Sequence, residues 1–173
     1  MGSEMCIRDS PKNAPVVDLR DLVTDVSGLM KGAFNKRGVD LQLLVPKAKL
    51  PVRVDPVLAS RILAQVLGVV RAGLVQGTTL KLSAEASGRE VQVVMRPDYP
   101  VAIDEFRQDD ARAAGLGVWI ARRLLQQVGG RLEQPLKVPF PEATQPPQTE
   151  ELGEDPSLPL MTDATWRVVF PRA

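Results

Sequence analysis

The chain has no histidine and only one cysteine in 173 residues. Lacking histidine, it cannot use an imidazole as general acid or base, and it cannot carry a phosphohistidine of its own. With Cys6 alone there is no internal disulfide framework and no thiolate–imidazole set for zinc, so no metal site is expected. Charge of either sign is also scarce in excess. Twenty-two basic against 21 acidic residues leave a net charge of +1, which favours neither nucleic acid nor an anionic membrane as partner. No apolar run approaches the roughly 20 residues that span a bilayer, and no charged start followed by an apolar core marks a signal peptide. A cytoplasmic location without membrane contact is expected. The 44% hydrophobic content suffices for one good core, and the length argues for one domain.

Residues 1–14 are set apart as a leader. Met1 to Ser10 show no periodicity, and Met5-Cys6-Ile7-Arg8-Asp9-Ser10 looks like translated cloning or adapter sequence. Pro15 to Leu19 reads as a short strand entering a helix. Leu19, Leu22, Val23, Val26, Leu29, Met30, Ala33 and Phe34 follow three-four spacing, with Asp18 as cap, Asp21 near the positive end and Gly38 as stop. Val39 to Leu43 and Pro51 to Val54 read as strands. Asp55-Pro56 is a strong helix start, and Val57, Leu58, Ile62, Leu63, Val66, Leu67, Val70 and Leu74 give that second helix a wide apolar face. Residues 78–86 and 90–96 form a hairpin turning at Ser87-Gly88. Residues 98–112 are polar and irregular. Strands are expected near Arg131-Leu132-Glu133 and at Trp166 to Phe170. Between them, residues 135–164 hold seven prolines and a net acidic charge, which predicts an insertion without persistent structure.

The most informative stretch is Ala113 to Gly130, where Gly115-Leu116-Gly117 runs into an amphipathic helix that Gly129-Gly130 stops. A glycine turn at a helix entry lets backbone N–H groups approach a phosphate, which the helix dipole favours. Arg122 and Arg123 fit a solvated face, and Trp119 fits the core or an apolar patch. Strand, helix, two strands, helix, hairpin, loop, glycine turn, helix, two strands: this order resembles the ATP-binding domain of sensor histidine kinases. That family shares a superfamily with DNA gyrase and the mismatch-repair ATPases. The resemblance covers roughly residues 15–171 and is carried by 55–73, 98–103 and 113–130. It implies an α/β fold, a two-layer α/β sandwich of the Bergerat ATPase type with helices on one face of a mixed sheet. It also implies nucleotide contacts at Asp98 and at Gly115, Leu116 and Gly117. The plainer roles are a turn former for Asp98 and helix–sheet packing for the glycines.

Departures from the family pattern are informative too. In the family the second helix carries two asparagines four residues apart, facing the nucleotide, and the first coordinates Mg²⁺. Matching Gln65-Val66-Leu67 to the family's Gln-Val-Leu puts Val69 and Gly73 at those positions and Gln76 at the basic one. Neither Val69 nor Gly73 offers the oxygen that Mg²⁺ needs. Where the family reads Asp-x-Gly-x-Gly-Ile, this chain reads Asp98-Tyr99-Pro100-Val101-Ala102-Ile103, and Pro100 removes an N–H and fixes φ. The lid segment is only 104–112, with Asp104, Glu105, Asp109 and Asp110 against Arg107 and Arg112, a charge that repels a triphosphate. A degenerate site follows: no catalytic residue, no metal, no cofactor beyond weak ATP. The expected role is a regulatory or scaffolding module of bacterial two-component signalling, with other domains of the same signalling protein or a response regulator as partners. Two alternatives stand beside it. One is a working ATP-binding domain whose phosphoacceptor lies on a segment missing here, and the other is a stand-alone protein-interaction domain.

Overall fold

A computed structural model describes residues 13–98, 108–134 and 165–173, and for 108–114 the helical backbone alone. Ten elements follow in chain order: β1 (Val16–Asp18), α1 (Leu19–Lys36), β2 (Asp40–Leu44), β3 (Pro51–Arg53), α2 (Pro56–Ala72), β4 (Thr79–Ser87), β5 (Glu90–Pro97), α3 (Gln108–Gln127), β6 (Arg131–Glu133) and β7 (Trp166–Pro171). The leader at 1–12, the stretch 99–107 with Pro100 and most of the expected lid, and the proline-rich insertion at 135–164 lie outside the described residues.

Local chemistry starts each helix where the sequence placed it. Asp18 is the N-cap of α1, accepting from Arg20 N–H, and Asp55 caps α2 by accepting from Leu58 N–H at 2.9 Å, with Pro56 in the first turn. Gly38 follows α1 with φ of +71°, a left-handed step that glycine takes without a Cβ penalty. Gly88 opens the β4–β5 turn with φ of +58°, while among the described residues none other than glycine has positive φ, the glycine-first pattern of a II′ hairpin.

Five strands form one mixed sheet in the order β2-β4-β5-β7-β6, with β2 parallel to β4 and the other pairs antiparallel. β1 and β3 pair apart from it as a two-stranded ribbon, which the C-terminus joins through Arg172 opposite Val52 and Ala173 N–H donating to Pro51 C=O. Alternation along the strands divides the sheet. Leu80, Leu82, Ala84, Val91, Val93, Met95, Val168 and Phe170 are buried towards the helices. Leu19, Val23, Val26 and Phe34 of α1, Ile62, Leu63, Val66 and Leu67 of α2, and Ala121 and Leu125 of α3 meet them. The other face carries Lys81, Glu85, Gln92 and Arg96, and Arg131 there pairs with Glu90 and Glu133. The two-layer α/β sandwich with helices on one face is the architecture the sequence predicts.

One polar staple holds the start of α1 to the loop before β3. Asp18 Oδ1 accepts from Leu50 N–H at 3.1 Å, its Oδ2 takes Arg20 Nη2 at 2.7 Å, and Arg20 Nη1 reaches Lys47 C=O at 2.6 Å. The Arg20 guanidinium, with the two backbone donors, holds the Asp18 carboxyl down at about 2 from its ordinary 3.8, against the opposing effect of burial. A carboxyl lowered in the folded state stabilises above its unfolded pKa and loses that contribution as pH falls through the folded value. Asp18→Ala is therefore expected to cost about 0.5–2 kcal/mol at pH 6. Urea unfolding should show the gap between parent and variant narrowing as pH drops from about 4 towards 2.

Candidate functional site

The residues matched to the nucleotide site lie on α2, on the end of β5 and on α3. On α2, Val69, which the family resemblance matches to the metal-binding asparagine, is 7% exposed, and Val70 and Leu74 are buried as well. Gly73 caps the C-terminus of α2, its N–H donating to Val70 C=O at 3.1 Å. Gln76 does not turn towards Val69. Its side chain lies over Gly38, where an added Cβ would meet Gln76 Cγ at 2.5 Å, and the neighbouring Gly77 N–H donates to Gly38 C=O at 2.8 Å.

Asp98 is exposed at the end of β5. Its Oδ1 accepts from Thr79 N–H at 2.8 Å while its own N–H donates to Thr79 C=O at 2.9 Å. This reciprocal pair closes the open end of the β4–β5 ladder. The other oxygen has no protein partner among the described residues.

On α3 the structure corrects the sequence. Gly115-Leu116-Gly117 is not a turn before a helix. The three residues sit inside α3, which already runs from Gln108, so their N–H groups are directed into the helical ladder rather than towards a ligand. The physical cause is twofold: Ala111, Arg112, Ala113 and Ala114 are good helix formers, and α3 packs against α2. Gly117 is buried, and a Cβ on it would lie 2.7 Å from Val69 Cγ2 and 2.8 Å from Gln65 Nε2. Gly115 faces open space, and Leu116 is 60% exposed. Trp119 is not in the core; it is 60% exposed with the Arg123 guanidinium 5.9 Å from its ring centroid. Arg122 is exposed and donates to Gln134 Oε1 at 3.0 Å.

The fold therefore brings Val69, Gln65 and Gly117 together and leaves Asp98, Gln76 and Leu116 to other tasks. Sequence reasoning missed the Gln65–Gly117 approach. Its trace was the four-residue spacing of Gly117, Ala121 and Leu125, all buried on one side of α3. Among the described residues no group of His, Cys, Asp and Glu could hold a metal ion, and no helix is long and apolar enough to cross a membrane. A hollow of about 140 Å³ lies on the open face of the sheet, lined by Leu44, Lys81, Ser83, Glu85, Val94 and Arg96, away from α2 and α3.

The catalytic domain of histidine kinase ThkA superposes with a TM-score of 0.61 over 91% of this chain and 96% of that one, at 16% identity. The chain has the histidine-kinase catalytic-domain fold. The mycobacterial sensor histidine kinase MprB shares it at a TM-score of 0.59 and 14% identity, covering 92% of this chain and 97% of its own. Full-length ShkA, solved in complex with AMPPNP, matches at 0.61 and 21% identity over 92% of this chain but only 31% of its own length, so there the domain is one part of a longer kinase. No protein-family model matches the sequence, and no curated protein matches it as a relative.

Proposed function

We propose that this chain is a degenerate histidine-kinase-like ATP-binding domain that acts as a regulatory or scaffolding module in bacterial two-component signalling, without kinase activity. The observation that carries this reading is Val69, an apolar side chain packed against α3 where the family resemblance calls for a Mg²⁺-binding asparagine. Phosphoryl transfer depends on metal and on positioning of the phosphates. Val69 and Gly73 supply no oxygen ligand, Gln76 is committed to Gly38, and Gly117 is committed to α2. Other domains of the same signalling protein are the proposed partners, with a response regulator as a second candidate, and the proposed location is cytoplasmic.

The test is calorimetric titration of the domain with ATP, with and without Mg²⁺. The expected outcome is binding no tighter than weak and nearly the same in both conditions. Micromolar affinity that requires Mg²⁺ would overturn the reading in favour of a working ATP-binding domain.

A further inference from the structure

Gly115 and Gly117 are two residues apart in one helix and stand in opposite surroundings. A methyl group on Gly115 would meet nothing within 4 Å, whereas one on Gly117 would press into Val69 Cγ2 at 2.7 Å and Gln65 Nε2 at 2.8 Å. The amide end of Gln65 can swing away at small cost. The β-branched Val69, fixed in one rotamer on a helix and 7% exposed, cannot. We infer that Gly117 is a packing residue that lets α3 close directly onto α2, and that this closure, not only the loss of the asparagines, shuts the nucleotide cleft of this chain. The inference deepens the degenerate-site reading and rests on it.

The geometry assigns opposite effects to two substitutions that helix propensity alone would make equal. In the interior of a helix alanine is favoured over glycine. Gly115→Ala, with open space for its methyl, should raise the melting temperature by about 1–4 °C. Gly117→Ala should lower it by about 3–8 °C, because overpacking against Val69 outweighs the propensity gain. Val69→Ala removes the obstructing methyl groups, so the Val69→Ala/Gly117→Ala double variant should melt no lower than Val69→Ala alone, a non-additive pair.

Thermal melts of the four variants and the parent decide the matter. Gly117→Ala melting at or above the parent, in step with Gly115→Ala, would overturn the closure, as would additive losses in the double variant. The nucleotide titration fails independently: absent binding together with a harmless Gly117→Ala sinks the closure alone, whereas Mg²⁺-dependent binding by the parent sinks the degenerate-site reading.

Discussion

Leu67→Ala is expected to lower stability by about 2–5 kcal/mol, the largest effect of any single substitution considered for this chain. Leu67 is 1% exposed and lies with Leu63 on the face of α2 that meets Val23 and Val26 of α1 and Leu82, Val93 and Met95 of the sheet. Those neighbours belong to three other elements, α1, β4 and β5, and already line a small apolar void without room for water. Collapse around the missing side chain would require α1, α2 and the sheet to shift together, so most of the cavity should persist, and its cost scales with the volume left. A domain of this size is stable by only about 5–15 kcal/mol. Denaturant unfolding should therefore show a large drop in midpoint with little change in slope. A loss below about 1 kcal/mol would mean that α2 does not lie on the sheet as described.

Val69→Asn is the second large expectation, at about 1–3 kcal/mol of destabilisation. The substitution introduces the side chain that the family resemblance calls for, in a place that is buried and apolar. Val70 and Leu74 are buried nearby and Gly117 covers the position, so the amide would lose water without a full set of partners. The Gln65 amide, close to Gly117, can satisfy one of its bonds at best, which places the cost inside that range rather than above it. Denaturant unfolding checks this as well. An unchanged midpoint would show that water reaches Val69 and that the α2–α3 face is open.

Much of the fold was legible because it is written in short-range chemistry. The caps at Asp18 and Asp55, the apolar stripes of α1 and α2 apart from the exposed Leu29 and Val57, the left-handed step at Gly38 and the β4–β5 hairpin each depend on residues within a few positions of one another. Periodicity of 3.6 or 2 is enough to locate such elements and to tell which side faces inward. The expected departures at Val69, Gly73 and Gln76 rest on a register taken from Gln65-Val66-Leu67 on the same helix.

The misreading at Gly115-Leu116-Gly117 came from judging glycines by their local freedom. Glycine permits a turn but does not require one, and here the alanine-rich run before it continues the helix through both glycines. Gly117 within that helix lies against Val69, 48 residues earlier in the chain. For Trp119 the pattern left core and apolar patch open, and only the packing of α3 decides between them, leaving the ring outside with Arg123.

By itself the sequence determined the kinds of element, their order, most of their inward faces and the lack of histidine and of a second cysteine, because each of these is a property of residues or of their neighbours along the chain. Only the tertiary structure decided that β7 inserts between β5 and β6, that β1 and β3 pair apart from the main sheet, that Asp98 binds Thr79 and Gln76 covers Gly38, and that Gly117 seats on Val69. Those contacts join segments far apart in sequence, and close packing in three dimensions, not any local preference, selects which surfaces meet.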